Sequence, residues 1–182
     1  MTAYVFLAEG FEEVEALTPV DILRRGGVTV KTVGIGGKTI TGAHGIPVGC
    51  DIAEEDVIPD EIDMMVLPGG MPGATHLREH DGLCTLLKTA SAAGSRLAAI
   101  CAAPFILGEL GLLEGREATC YPGFEDALTG AKLTGAGVVT DGNITTARGL
   151  GYALDLGIEL ALLLVDRPVA LQVKDSIQYD QV

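Results

Sequence analysis

Apolar positions along the chain alternate between short continuous runs and runs with a helical rhythm. "AYVFLA" is a continuous apolar run with β-type residues and predicts a first strand. After it, Val14, Leu17, Val20 and Leu23 recur about once per turn and predict a helix. That helix opens on Glu12, Glu13 and Glu15, where the positive end of the helix dipole favours carboxylates. It ends at Arg24, Arg25 and the Gly26-Gly27 stop. Pro19 lies inside the run and predicts a bend.

The same pattern continues. "VTVKTVG" predicts a second strand, and the Gly- and Thr-rich stretch up to Cys50 a small hairpin. "DMMVLPGG" is a third strand ending in Gly69-Gly70, and Leu83 to Ala93 is helical. "RLAAIC" is a fourth strand, with a helix from about Ala103. "GVVTDGNITTA" reads as two strands joined by the turn Asp141-Gly142. A long apolar helix from about Leu150 to Val165 follows, and "VALQV" predicts a last strand.

Strands alternating with helices predict an α/β sandwich: a mostly parallel central sheet with helices on both faces. The length of 182 residues fits one domain, residues 1–182. In such sheets ligands gather at the carboxyl ends of the strands, near a switch in strand order. Three suggestive segments fall at such ends: the Glu12–Glu15 acids, Gly69-Gly70 and Cys101.

Charge narrows the partners. Twelve basic against 25 acidic residues leave a net charge of −13, which neither nucleic acid nor an anionic membrane would attract. The longest apolar stretch, "ALDLGIELALLLV", is short and contains Asp155 and Glu159, so it predicts a buried helix rather than a membrane span. The N-terminus has no basic region before its apolar residues, and Cys50, Cys84, Cys101 and Cys120 show no C-x-x-C spacing. Reduced thiols in the cytoplasm are the expectation. His76 and His80 are four apart, but no third ligand stands at a recognised metal spacing. "GIGGKTITG" fails as a phosphate loop because Thr32 occupies the required first glycine, and fails as a dinucleotide fingerprint because Thr39 occupies the third. No cofactor is called for.

Cys101 is the candidate nucleophile. Strand, cysteine, tight turn and helix form the architecture of a nucleophile elbow, though not its serine sequence. Ala98, Ala99, Ala102 and Ala103 are small enough to let the turn close. The N–H groups and dipole at a helix start stabilise thiolate, and such sites bring a cysteine from ~8.5 to about 3.5–7.5. No histidine adjoins Cys101, so its proton partner is expected among the acids after the first strand, and residue type alone does not choose among Glu12, Glu13 and Glu15. A carboxyl beside a thiolate has its own pKa raised and can donate to sulfur. Gly69-Gly70 either makes a turn or brings N–H groups to a developing oxyanion.

Taken together, "LAEGFEEVEALTPVDILRRGG", "VLPGGMPGA", "AAICAAPFILGELGLLEG", "ATCYPGFE", "ITTARGLGYALDLGIELA" and "ALQVKDSI" resemble the ThiJ/PfpI superfamily, most closely its DJ-one branch, over nearly the whole chain. The resemblance implies a flavodoxin-like sandwich, usually homodimeric, with Cys101 as the reactive, oxidisable elbow cysteine and Glu15 as the protonated partner. It implies backbone N–H groups of Gly70 and Ala102 at the oxyanion site, Gly69 shaping the loop, and Arg148 in a substrate-side segment. It places Arg25 near a dimer face. Two departures stand out: Tyr121, a candidate to hydrogen-bond substrate, occupies the place of a histidine found in the parkinsonism-associated relative and so removes a Cys-His dyad by that route, and Ala102 takes the place of the histidine that follows the cysteine in the protease-like branch. The implied activity is a cofactor-free, cysteine-dependent conversion of small 2-oxoaldehydes, of the glyoxalase or deglycase type, with methylglyoxal going to lactate. The alternatives are an oxidation sensor or redox chaperone without turnover, a regulatory dimer with an incidental cysteine and, disfavoured by Ala102, a protease or amidase.

Overall fold

The computed structural model describes residues 1–180. In chain order the strands are β1 (Thr2–Leu7), β2 (Thr29–Gly34), β3 (Thr39–Thr41), β4 (Pro47–Gly49), β5 (Ile52–Ala53), β6 (Met64–Leu67), β7 (Arg96–Ile100), β8 (Glu117–Ala118), β9 (Lys132–Leu133), β10 (Val138–Asp141) and β11 (Ile144–Ala147). The helices are α1 (Glu13–Arg25), α2 (Gly73–Glu79), α3 (Asp81–Ala92), α4 (Pro104–Glu109), α5 (Ala153–Leu164) and α6 (Arg167–Ser176).

Seven strands form the central sheet in the order β10-β11-β7-β6-β1-β2-β5. All neighbours run parallel except β10, which returns antiparallel on β11 through the turn at Asp141-Gly142. Central strands buried on both faces read as unbroken apolar runs, and every residue of β6 is buried. One face carries α1, α5 and α6: Ala16, Val20 and Leu23 meet Leu156, Leu160 and Val173 over Val5, Leu7, Val66 and Ile100. The other carries α2, α3 and α4, where Leu77, Leu87 and Ile106 cover Phe6, Met65, Leu67 and Ala99. Gly157 lets α1 and α5 approach, since a methyl there would collide with Ile22. No helix among the described residues is long and apolar enough to cross a membrane.

The observed elements differ from the expected ones in two places. "VALQV" is not a strand but the middle of α6. Its buried residues are Ala170 and Val173, with Ile177 half-buried, a helical spacing; Asp166 precedes the helix and Pro168 stands in its first turn, a place proline tolerates. α1 runs unbroken through Pro19. The proline denies the Glu15 carbonyl its usual N–H partner, and packing against α5 holds the helix nonetheless. The stretch before Leu83 contains a further helix, α2, which the apolar rhythm did not show because only Gly73, Ala74 and Leu77 of it are buried.

Strand order reverses beside β1: the chain moves outward to β2 and β5, then returns to the other side as β6 and β7. The crevice at the carboxyl ends of β1, β6 and β7 is therefore the switch point where this sheet type binds ligands.

Candidate active site

β7 delivers Cys101 to that crevice. Its backbone has φ of 63°, a left-handed conformation uncommon for a residue with a side chain, and its residue class makes the strain notable. The strain is held from both sides. The Cys101 N–H donates to the Ala147 carbonyl at 2.9 Å, and its own carbonyl accepts from the Tyr121 N–H at 2.8 Å. The turn tilts the side chain toward the α1 and α5 face, where it stays only part-buried. Ala102 and Ala103 behind it are fully packed, and Pro104 opens α4.

Glu15 approaches from the first turn of α1, with 1% of its surface exposed. It lies within hydrogen-bonding reach of Cys101, and its Oε2 accepts from the Gly69 N–H at 3.0 Å. Gly69 is the wedge between the two groups. A Cβ there would stand 2.6 Å from Glu15 Oε2, 2.7 Å from the Cys101 Cβ and 2.9 Å from the Ile100 carbonyl oxygen. Gly70 follows with φ of 85°, and its N–H and that of Ala102 lie near enough to the Cys101 sulfur to favour the charged form. The loops after β1 and β6 are tied together: the Glu12 N–H donates to the Gly69 carbonyl at 3.0 Å, and the Gly73 N–H to the Gly10 carbonyl at 3.2 Å. The tie through Gly10 had no signal in the sequence, because it depends on two backbones touching rather than on a residue type.

Electrostatically, Glu15 and Cys101 form one titrating pair. Burial pushes the Glu15 carboxyl up to about 7, against the hydrogen bonds from Cys101 and Gly69. Burial also pushes the Cys101 thiol up, to about 12, with the charge of Glu15 and the hydrogen bond to it adding to the rise. The N–H groups of Ala102 and Gly70 oppose that rise without reversing it. The expected lowering of the thiol pKa is thus corrected: desolvation and a neighbouring carboxylate outweigh the helix start. The pair gives up its first proton near neutrality and holds the second far above it.

The other acids are used differently. Glu13 is buried and clasps the 42–46 loop, its Oε1 accepting from the His44 N–H at 2.9 Å and its Oε2 facing His44 Nδ1 at 3.0 Å. These contacts, with the N–H of Ile46, hold its carboxyl below its ordinary value against the opposing effect of burial. Glu12, Glu13 and His44 are the cluster among the described residues whose ligand atoms all lie within 4.8 Å of one another. The oxygens of Glu13 already accept from that loop. His76 and His80 are separated in use: His76 Nδ1 meets the Glu9 carbonyl at 2.8 Å, and His80 faces Glu54 at 3.3 Å. Cys120 is buried, with its thiol pushed up to about 11, and Cys84 is buried as well. Arg25 is paired with Asp21 at 2.7 Å.

Tyr121 and Arg148 do not join Glu15 around the sulfur. They line a neighbouring cleft of about 360 Å³ with Pro122 and the 149–152 segment. They are nonetheless attached to the elbow, because the backbone partners of Cys101 are Tyr121 itself and Ala147, the residue before Arg148.

Known proteins resemble this chain along nearly its whole length. Protein dj-1beta of Drosophila melanogaster is 34% identical over 179 residues, covering 97% of this chain and 96% of its own. A protein of Pyrococcus abyssi named a deglycase is 37% identical over 150 residues, covering 81% and 90%. Among solved structures, the oxidised DJ-1 of Toxoplasma gondii superposes with a TM-score of 0.93 at 31% identity, covering 99% of both chains. The model of the DJ-1/PfpI family matches residues 1–162, and with the elbow, acid and glycine loop in place, the chain belongs to that family.

Proposed function

We propose that this chain is a cofactor-free, cysteine-dependent enzyme acting on small 2-oxoaldehydes, of the glyoxalase or deglycase type. The observation that carries the proposal is the contact of Glu15, Gly69 and Cys101 at the switch point of the sheet. The deglycase name of the archaeal relatives supports the same class.

Near neutrality the pair holds one proton. In the resting pair that proton sits on the sulfur; the reactive arrangement is the tautomer in which it has moved to the Glu15 carboxylate and left the negative charge on sulfur. The Cys101 sulfur adds to the aldehyde carbon of methylglyoxal, and the new oxyanion takes a proton, giving a hemithioacetal. The N–H groups of Gly70 and Ala102, which lie near the sulfur, stabilise the oxyanion before it is protonated. Glu15, now a carboxylate, removes the hydrogen on the former aldehyde carbon to give an enediolate. It returns the proton to the neighbouring carbon, leaving a lactoyl thioester. Water then cleaves the thioester to lactate and restores the thiol. The protein's own sulfur takes the place that glutathione would otherwise fill.

Homodimerisation belongs to this proposal. Val14, Leu17, Ile46 and Leu154 leave an exposed apolar face around the start of α1. A cytoplasmic setting belongs to it as well, supported by four free cysteines.

The test is lactate formation from methylglyoxal by the wild type, Cys101→Ser and Glu15→Ala. Both variants should lose turnover, and undiminished turnover in Cys101→Ser would remove the mechanism. A second function uses the same sulfur: oxidation sensing, favoured by the oxidised state in which the Toxoplasma relative is described. It predicts a gain of two oxygens at Cys101 under mild peroxide, with negligible aldehyde turnover.

A further inference from the structure

We infer that the cleft between α5 and α6 is a binding site for a free α-amino acid with an apolar side chain. The site is separate from the Cys101 centre and does not depend on the reactive-thiol proposal.

Two helical stripes build the cleft. Asp155, Ile158, Glu159 and Leu162 recur on α5 at helical spacing and so share one side of it. Arg167, Leu171 and Lys174 do the same on α6, and β10 contributes Val138 and Thr140. Only Val165 and Asp166 separate the two helices, and α6 turns back along α5. Tyr179, just past the end of α6, fixes that direction. Its hydroxyl donates to Asp155 Oδ1 at 2.5 Å, and its N–H donates to the Lys174 carbonyl at 3.2 Å. Lys174 therefore belongs to the end of the cleft that holds Asp155, in the first turn of α5. Arg167 belongs to the opposite end, beside the connection.

The acids at the Tyr179 end are already oriented. Asp155 is held by the Tyr179 hydroxyl. Glu159 Oε1 accepts from the Thr140 hydroxyl at 2.8 Å, and that hydroxyl in turn meets the Thr145 hydroxyl at 3.0 Å. Burial, then the hydrogen bond to Asp155 and its charge, push the Tyr179 hydroxyl up to about 12, so it remains a donor. Lys174 is half-buried and lines the same cleft, yet its ammonium is in no ion pair among the described residues. Part-buried charges of opposite sign that do not meet across a gap leave some of their desolvation uncompensated. A ligand carrying both signs close together compensates it. An α-amino acid carries both on one carbon: its ammonium faces Asp155 and Glu159, and its carboxylate faces Lys174.

Beyond the charged end the lining turns aliphatic. Ile158, Leu162, Leu171 and Val138 continue toward Arg167, and none of them is fully buried. Apolar surface left to water along a cleft favours cover by an apolar side chain. The volume of about 360 Å³ falls in the ~300–1,000 Å³ range of small-ligand sites and accommodates an amino acid the size of leucine. The charged head and the apolar body thus have separate, adjoining places.

Equilibrium dialysis of the wild type against radiolabelled leucine should show saturable binding. Unlabelled analogues separate the parts of the ligand: glycine lacks the body, isocaproate the ammonium and isoamylamine the carboxylate. Each should compete at least about ten-fold more weakly than leucine, the size of one charge-assisted contact or of a buried apolar side chain. Lys174→Met and Glu159→Gln should each weaken leucine binding about ten-fold, and Lys174→Arg should restore part of the loss. Arg167→Met, at the far end, should change little. Cys101→Ser should bind leucine as the wild type does, whatever becomes of lactate formation from methylglyoxal, so the two proposals stand or fall separately. No saturable binding, equal binding by the wild type and Lys174→Met, or loss of binding in Cys101→Ser would overturn the inference. Competition by isocaproate or isoamylamine equal to that of leucine would overturn it as well, because one charged wall would then suffice.

Discussion

Replacing Glu15 by glutamine tests the electrostatics of the site without reference to any substrate. Glu15 is 1% exposed and its carboxyl is pushed up to about 7 from an ordinary 4.5, chiefly by burial. In the unfolded chain that carboxyl ionises near 4.5; in the folded protein it keeps its proton until near 7. Between those values the unfolded state binds fewer protons, so folding stability falls as pH rises. The contribution is fully present below 4.5 and gone above about 7. A displacement from 4.5 to about 7, at ~1.36 kcal/mol per pH unit, amounts to about 3 kcal/mol. Glutamine is close in size and neutral, and has no proton to lose. Urea unfolding of wild type and Glu15→Gln, under reducing conditions from pH 4 to pH 8, gives the stability difference at each pH. Glu13 and Asp51, whose lowered pKa values act in the opposite direction, are common to both proteins and cancel in that difference. Wild type should lose about 3 kcal/mol relative to Glu15→Gln across the window. Parallel profiles would mean that Glu15 ionises like a surface acid, and the shared-proton pair would be refuted. A wild type gaining stability as pH rises would refute it equally.

Two further outcomes follow from the same geometry. Gly69→Ala should cost about 1–3 kcal/mol in a denaturant melt, because its methyl group meets the Ile100 carbonyl and the Cys101 Cβ, which cannot yield, as well as Glu15; wild-type stability in this variant would show that Gly69 does not separate the acid from the thiol. In Glu13→Ala, amide exchange at His44 should accelerate about ten- to a hundred-fold, since its N–H loses a buried carboxylate acceptor. In the wild type that protection, corrected for intrinsic exchange, should be present at neutral pH and decline only as pH falls below the ordinary carboxylate range, because the Glu13 pKa is lowered; unchanged exchange in the variant would show that Glu13 does not hold the loop.

What residue order determined here was local and periodic. The apolar runs of β1, β6 and β7 are long enough only for strands, and their unbroken character marks a sheet buried on both faces. The alternation with helices then places the Glu12–Glu15 acids, Gly69-Gly70 and Cys101 at one edge, and the family motifs choose Glu15 from the three acids. The motifs could not do the same for the thiol's ionisation. Whether Cys101 lies above or below its ordinary pKa depends on the balance between two N–H groups and the desolvation caused by distant segments, and that balance exists only once α1, the β6 loop and α5 are packed around it. α6 shows the same limit at the level of secondary structure: "VALQV" suits a strand in isolation, and it is helical because Ala170 and Val173 must both reach the face carrying α1 and α5. The cleft at Arg148 is tertiary throughout, since Tyr121 and Ala147 become neighbours only by bonding to opposite sides of the Cys101 backbone. Periodicity records which face a residue shows to the core; the solvent lost and the charges met there are set by chain segments remote in sequence.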